Sequence, residues 1–181
     1  MNEITVHGKN FKVFIEEKQI LKRVKEMAQQ IVNENRGGDI LFLAVLNGSF
    51  VFAADLLRNI EMNVELSFLK LSSYSGVKST GEVRRLIGLD EDLDNKTVII
   101  IEDIIDTGQT LDGVIEDLHK QGAGTIKIAS LLFKPDAYMG SQDIDYLGFE
   151  IPNDFVIGYG LDYDGLGRNL RSVYRIVEQQ D

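Results

Sequence analysis

The chain has 181 residues, 44% of them hydrophobic, which is enough for one domain of ordinary size with its own core. It contains no cysteine and two distant histidines, so disulfides, thiolate catalysis and Cys-ligated zinc are excluded and any metal is expected to be oxygen-ligated. The net charge of −10 argues against broad nucleic-acid binding, and with neither a membrane-length apolar run nor a signal-peptide layout we expect a cytoplasmic protein.

The first half of the chain alternates helical and strand patterns. Apolar residues first recur at helical spacing, and short apolar runs between turn signals are typical of buried strands. A polar Ser/Gly-rich stretch without apolar periodicity is expected to form a long loop. The predicted elements are a helix from Glu16 to Asn35, strands from Ile40 to Leu46 and Val64 to Leu71, a helix from Phe50 to Asn59, the loop from Ser72 to Glu82, and a strand from Val83 to Gly88.

The turn Asn47-Gly48-Ser49 joins a predicted strand to a predicted helix. Free N–H groups and the Ser49 hydroxyl at such a turn suit an anion. A tight turn that needs Gly48 for an unusual backbone angle explains the same residues and is the simpler interpretation when they are taken alone.

The most informative segment is VIIIEDIIDTGQTL, from Val98 to Leu111. Its four leading apolar residues are typical of a central strand of a parallel sheet that is buried on both faces. The acids Glu102 and Asp103 are expected to emerge at the carboxyl end of that strand, where open α/β sheets bind ligands. The turn Asp106–Thr110 then offers N–H groups and hydroxyls to a phosphate at a helix N-terminus. Acids beside a phosphate-binding turn suggest a phosphorylated sugar as the ligand.

The second half continues the alternation and ends in shorter pieces. It predicts a helix carrying Leu111, Val114, Ile115 and Leu118, a strand from Ile126 to Phe133, short strands at Tyr146–Phe149 and Phe155–Gly160, a loop at Asp164–Gly167, and a last strand near Val173–Val177. We therefore expect a single α/β domain over residues 1–181, with a mainly parallel twisted sheet flanked by helices. The N-terminal segment and roughly residues 145–181 are expected to form a small hood over the carboxyl edge of the sheet.

The segment VIIIEDIIDTGQTL resembles the phosphoribosyl-pyrophosphate motif of type I phosphoribosyltransferases, in which four apolar residues, two acids, two apolar residues and Asp-Thr-Gly-x-Thr follow in fixed order. Three further segments resemble hypoxanthine-guanine phosphoribosyltransferases: LLFKPDA their strand ending in lysine, GFEIPNDFVIGYGLDYDGLGRNL their base-binding tail, and LSSYSGVKSTGEV their mobile loop. The resemblance spans nearly the whole chain. It implies the type I fold and Mg²⁺-dependent transfer of a phosphoribosyl group from phosphoribosyl pyrophosphate to a 6-oxopurine, which yields inosine or guanosine monophosphate in purine salvage.

The resemblance also implies roles for individual residues. Glu102 and Asp103 would hold the ribose hydroxyls, directly or through Mg²⁺, and Asp106 would exchange a proton at purine N7 as the catalytic residue. The 5′-phosphate would lie on the loop formed by Asp106, Thr107, Gly108, Gln109 and Thr110. Pyrophosphate would contact Asn47, Gly48 and Arg168, and the purine would contact Lys134, Phe155, Val156 and Asp162. Asp162 would also face a second Mg²⁺, and Ser73 and Tyr74 would close over the site. Taken singly, Lys134 is more typical of a solvated lysine and Phe155 of a core aromatic.

One position departs from the family pattern, and two other functions remain open. Many family members carry a basic residue where this chain has Asn47, so we expect that contact with pyrophosphate to be made mainly by backbone N–H groups. One alternative is a phosphoribosyl-pyrophosphate-sensing regulator that binds nucleic acid, and the other is transfer to xanthine, adenine or a pyrimidine. We expect a homodimer or homotetramer with no nucleic-acid or membrane partner.

Overall fold

The computed structural model describes residues 3–72, 84–87 and 92–177. The strands and helices, numbered separately in chain order, are β1 (Glu3–Val6), β2 (Lys9–Ile15), α1 (Glu17–Glu34), β3 (Ile40–Leu46), α2 (Phe50–Leu57), β4 (Glu65–Ser72), β5 (Arg84–Ile87), β6 (Thr97–Ile105), α3 (Gln109–Lys120), β7 (Thr125–Phe133), β8 (Tyr146–Glu150), β9 (Val156–Ile157) and β10 (Val173–Ile176). Each strand and helix predicted from the sequence is present, with its ends shifted by a few residues. The predicted polar loop lies outside the described residues apart from Ser72, which ends β4.

A six-stranded sheet in the order β5-β4-β3-β6-β7-β8 forms the body of the protein. Its pairs are parallel except for β5, which lies antiparallel to β4 at one edge. The central strands β3 and β6 are buried on both faces along their apolar runs, which confirms the expected mainly parallel α/β sheet. Because all five parallel strands point the same way, their carboxyl ends and the turns that follow gather at one edge.

Helices cover both faces of this sheet. Helices α1 and α2 pack on one face, where Met27 and Phe52 join Phe42 and Ile99 in one core cluster. Helix α3 packs on the other face, where Leu111 and Leu118 meet Val98 and Ile100. Alternate side chains of a strand point to opposite faces, so neighbouring residues of β6 belong to different clusters. In the part of the chain that the structure describes, no helix is long and apolar enough to cross a membrane.

A second, antiparallel sheet has the strand order β1-β2-β10-β9 and joins both ends of the chain. Its own small core contains Phe11, Ile157 and Tyr174. The segment at 146–150 was expected to belong with these terminal pieces, but β8 pairs parallel with β7 in the large sheet. That position buries Tyr146 completely while its hydroxyl donates to Glu34 and accepts from Asn35 and Lys127, so the large sheet gives this side chain both apolar cover and polar partners.

Candidate active site

The turns after β3, β6 and β7 meet at the carboxyl edge of the large sheet. A pocket of about 320 Å³ opens there. Its lining comes from the end of β3, the end of β6 and the first turn of α3, through Val45, Leu46, Glu102, Ile104, Ile105, Asp106, Thr107, Gly108, Thr110 and Leu111. The pocket therefore brings Glu102, the first of the predicted acids, and the predicted phosphate loop together around one space, while Asp103 is not among its lining residues.

The two acids are the sixth and seventh residues of β6, near its carboxyl end, and the strand continues past them to Ile105. The strand extends because pairing with β7 carries on through Glu102, opposite Ser130, to Ile104 and Ile105. Glu102 lines the pocket, and the Asp103 carboxylate lies against Gly48 in the turn after β3.

Burial makes both acids hold their protons more tightly. Burial and the neighbouring Asp103 charge raise the pKa of Glu102 well above its ordinary value. Burial also raises the pKa of Asp103 to about 6, against the opposing effects of the Ile104 N–H group and the Arg168 charge. The Ile104 N–H group donates to Asp103 Oδ1 at 3.0 Å. A ligand that brings hydroxyl donors or positive charge to this pair would relieve the repulsion between the two carboxylates.

The turn after β3 packs against Asp103. A side chain at Gly160 would overlap the backbone carbonyl oxygen of Gly48, so glycine is required there, and a side chain at Gly48 would displace the Asp103 carboxylate. The Leu46–Asn47 peptide is cis, and the Asn47 side chain is exposed. These contacts hold the turn, the acid pair and the loop from the small sheet in one group.

The Ser49 hydroxyl does not face a ligand, contrary to the expectation for this turn. Ser49 is completely buried, and its Oγ donates to the carbonyl oxygen of Val45 at 2.6 Å. The hydroxyl is used to close the turn back onto β3, which leaves the backbone N–H groups and the exposed Asn47 side-chain amide as the donors that this turn offers.

The phosphate loop has the form that the sequence predicted. Gly108 has a φ of 80° and is the N-cap of α3, and its carbonyl oxygen accepts from the N–H groups of Leu111 and Asp112. Thr107, Gly108 and Thr110 line the pocket at the N-terminus of the helix, where backbone N–H groups and the helix dipole favour an anion. Gln109 is exposed as the first helical residue and is not among the pocket-lining residues.

Lys134 and Asp106 form an ion pair beside the pocket. Lys134 follows β7, and its N–H group donates to the carbonyl oxygen of Ile105. Its ammonium donates to Asp106 Oδ2 at 3.0 Å, with 10% of the lysine side chain exposed. Lys134 is therefore not a solvated lysine. Its ammonium, which can only donate hydrogen bonds, lies next to the Asp106 carboxylate, which can only accept them.

Asp162 and Arg168 lie near the acid pair but are bound to each other. Arg168 Nη2 contacts Asp162 Oδ1 at 2.6 Å, and its Nη1 donates to the carbonyl oxygen of Gly160 at 2.8 Å. The other oxygen of Asp162 accepts from the Gly165 N–H group at 2.7 Å. Both oxygens of Asp162 therefore have protein partners.

The predicted purine-stacking residue belongs to an aromatic group of the small sheet. Phe155 is 45% exposed and meets Tyr163 edge to face, with ring centroids 5.3 Å apart, while Phe11 lies 6.2 Å away. Val156 follows in β9 and is buried. None of these residues lines the pocket at the end of β6. Ser73 and Tyr74 lie outside the described residues.

Sequence reasoning missed two features of this region. Ile104 and Leu111 form part of the apolar wall of the pocket. Both lie in the segment from Val98 to Leu111, and their closeness to the acids in the sequence could have indicated that they line the site. Tyr163 lies next to Asp162 in the tail and contacts Phe155. An aromatic residue beside a predicted binding residue was the signal there.

The acid pair fits a hard cation that takes further oxygens from a ligand. Among the described residues, no group of three or more His, Cys, Asp or Glu side chains could hold a metal ion by itself. Glu102 and Asp103 supply carboxylate oxygens and have raised pKa values that a nearby cation would lower. Mg²⁺, which shares substrate oxygens and keeps several waters, suits such an incomplete donor set.

Comparison with known proteins gives one consistent family. The model of the phosphoribosyl transferase domain matches residues 14–164. A hypoxanthine phosphoribosyltransferase from Buchnera aphidicola subsp. Schizaphis graminum is 41% identical over 169 residues, which cover 92% of this chain and 96% of that protein. The structure of a hypoxanthine-guanine phosphoribosyltransferase from Bacillus anthracis matches with a TM-score of 0.86 and 38% identity over 92% of this chain and 97% of that one. A hypoxanthine phosphoribosyltransferase from Staphylococcus aureus matches with a TM-score of 0.87 and 36% identity over 92% of this chain and 91% of that one.

Proposed function

This chain belongs to the phosphoribosyltransferase family, and we propose that it transfers the 5-phosphoribosyl group of phosphoribosyl pyrophosphate to hypoxanthine or guanine and releases pyrophosphate. The observation that carries the proposal is the pocket that joins Glu102 to the phosphate loop, with the Lys134–Asp106 ion pair beside it and Asp103 next to Glu102 in β6. The acids match the ribose, the phosphate loop matches the 5′-phosphate, and the ion pair matches the base.

The phosphoribosyl part binds to β6 and the start of α3. The 5′-phosphate lies on the N-terminus of α3, where Thr107 and Thr110 add hydroxyl donors to the backbone N–H groups of the loop. Glu102 and Asp103 accept hydrogen bonds from the ribose hydroxyls, which suits carboxylates that have few other donors around them. Mg²⁺ bound at this pair would neutralise charge on the sugar pyrophosphate.

The base is read by Lys134 and Asp106. A 6-oxopurine presents an oxygen acceptor and the ring nitrogen N7 next to each other on one edge, whereas adenine presents an amino donor in place of the oxygen. Lys134 donates to the oxygen, and Asp106 accepts or shares the N7 proton while the other ring nitrogen attacks the sugar. Lys134 Nζ and Asp106 Oδ2 lie 3.0 Å apart and bind each other. When a base binds, each side chain replaces this contact with a hydrogen bond to the base.

The remaining predicted residues complete the proposal. Phe155 stacks on the purine, and the backbone of Val156 with Asp162 reads the rest of its edge. Arg168 and the N–H groups at Asn47 and Gly48 hold pyrophosphate, and fixed charge aimed at a departing group lowers the barrier for its departure. Ser73 and Tyr74 close over the site and exclude water. We place the reaction in the cytoplasm and expect a homodimer or homotetramer.

Pyrophosphate release tests the proposal directly. The enzyme is incubated with phosphoribosyl pyrophosphate, Mg²⁺ and one base at a time, chosen from hypoxanthine, guanine, xanthine and adenine, with a reaction lacking base as the control. Hypoxanthine- or guanine-dependent release with formation of the nucleoside monophosphate is the expected result. Release that requires adenine would contradict the role of Lys134, and binding of phosphoribosyl pyrophosphate without release for any base would favour a sensing function.

Asp106→Asn separates the proposed catalytic role of Asp106 from a structural one. The amide keeps the shape of the carboxylate and can still accept a hydrogen bond from Lys134, but it is not a proton acceptor. We expect kcat to fall while the affinity for phosphoribosyl pyrophosphate stays near that of the wild type. An equal loss of affinity and turnover would assign Asp106 to the phosphate loop alone.

A further inference from the structure

Tyr138 lies in the segment that follows Lys134 and packs against the phosphate loop. The segment begins with a short 3₁₀ turn at Pro135–Ala137. The Tyr138 ring meets the ring of Phe133, the last residue of β7, edge to face with centroids 5.2 Å apart and an interplanar angle of 76°. Both rings pack against the core cluster that also holds helix α3.

The contact with the loop falls on Gly108. A side chain at this glycine would overlap the Tyr138 ring, so the ring occupies the space beside the backbone at the N-cap of α3. The neighbouring Met139 N–H group donates to the carbonyl oxygen of Thr107 at 3.0 Å. The loop is therefore held from behind by a ring at Gly108 and by a hydrogen bond at Thr107.

The orientation of the ring is itself fixed. The Tyr138 hydroxyl donates to the carbonyl oxygen of Gln142 at 2.7 Å and accepts from the Gln142 N–H group at 3.0 Å. Gly140 lies against the same ring, because a side chain there would overlap it as well. With its hydroxyl held by backbone at two points and its edge on Phe133, the ring forms a rigid support for the loop.

We propose that Tyr138 is a positioning residue that sets the affinity of the loop for the 5′-phosphate of phosphoribosyl pyrophosphate and of the nucleotide product. This inference rests on the proposed function, which assigns the 5′-phosphate to that loop. Backbone N–H groups bind an anion well only when they converge on it, and Gly108 has no side chain of its own to hold the position that its φ of 80° requires. The Tyr138 ring and the Met139 N–H group supply that restraint from outside the loop.

Tyr138→Ala removes the ring, Tyr138→Phe keeps it without the hydroxyl, and Ile144→Ala is the matched control. Ile144 packs against the same core cluster as Tyr138, so Ile144→Ala also removes partly buried apolar surface. It leaves the contacts of Gly108 in place, because these are made by Tyr138 and Gly140. We expect Tyr138→Ala to raise the KM for phosphoribosyl pyrophosphate and the Kd for inosine monophosphate at least about tenfold, because small displacements of a binding group have large effects. The KM for hypoxanthine and the inhibition constant of pyrophosphate should change far less, since neither ligand carries a 5′-phosphate.

Tyr138→Phe should restore most of the affinity for inosine monophosphate, and Ile144→Ala should keep it. The inference is overturned if Tyr138→Ala leaves both phosphate-ligand constants unchanged, or if Ile144→Ala raises them equally. Should Tyr138→Ala not fold, Tyr138→Leu has the same expected effects, because it retains apolar volume without a flat ring. Failure of the proposed function would be seen separately, as an absence of turnover in the wild-type enzyme.

Discussion

Replacing Asp103 with Asn should stabilise the free protein while inactivating it. Asp103 has a folded-state pKa of about 6 against an ordinary value of 3.8, because burial disfavours its charge. Between those two values the folded state binds more protons than the unfolded chain, so the contribution of Asp103 to stability falls as the pH rises through this range. The full destabilisation is present above pH 6 and is absent below 3.8.

The difference between the two pKa values corresponds to about 3 kcal/mol, at roughly 1.4 kcal/mol for each factor of ten in proton affinity. Asn has the shape of the neutral acid, and its side-chain oxygen can still accept from the Ile104 N–H group. We therefore expect Asp103→Asn to raise the free energy of unfolding near neutral pH by up to about 3 kcal/mol. Loss of the Asp103 charge should also lower the pKa of Glu102, since that charge helps to raise it.

Urea unfolding in EDTA across the acidic-to-neutral range measures this effect, and kcat/KM for hypoxanthine is determined separately on the same protein preparations in buffer with Mg²⁺ and without EDTA. Asp164→Asn is the control, because Asp164 is exposed and has a φ of 46° that Asn also tolerates. The control should match the wild type in both stability and activity. If Asp103→Asn were no more stable than the wild type near neutral pH and had the same pH dependence, burial would not raise the pKa of Asp103 in the folded protein.

Three further substitutions test separate parts of the site. Gly48→Ala forces a methyl group into the Asp103 carboxylate and should reduce kcat/KM by about 100-fold. As a control, Gly113→Ala in α3 meets no atom nearby and should retain activity, with about 1 kcal/mol of added stability in urea unfolding. Near-normal activity of Gly48→Ala would contradict the packing described for this turn. Lys134→Met should lower kcat/KM for hypoxanthine by about 10- to 100-fold, through loss of a charged hydrogen bond, and reduce the discrimination against adenine in competition assays; unchanged base preference would remove Lys134 from base recognition. Tyr159→Phe removes the hydroxyl of a buried tyrosine, which donates to Asp55 at 2.7 Å, and should destabilise the protein by about 1–2 kcal/mol in urea unfolding. An unchanged free energy of unfolding would show that this hydrogen bond contributes nothing to stability.

Much of this protein follows from local sequence pattern. The periodicity between Glu17 and Glu34, the unbroken apolar runs of β3 and β6, and the Asp-Thr-Gly turn each encode a local structure that neighbouring residues are sufficient to specify. Parallel topology then places the ends of β3, β6 and β7 at one edge, so the position of the site could also be predicted.

The contacts that shape the site could not be predicted in the same way, because they join residues that are far apart in the chain. Asp103 lies against Gly48, and Gly48 lies against Gly160, only because folding brings β6, the turn after β3 and the loop from the small sheet together. Local pattern also did not show that Ser49 turns inward or that β8 joins the large sheet, since both depend on which buried partners are available.

By itself, the sequence determined the elements, the chemical groups and the edge of the sheet where those groups meet, because periodicity and turn chemistry act over a few residues. Tertiary structure alone decided which distant groups touch: the Lys134–Asp106 ion pair and the Tyr138 ring behind Gly108. The physical reason is that strand register and the packing of distant loops bring two side chains within hydrogen-bonding or van der Waals distance. No short stretch of sequence contains both partners of such a contact.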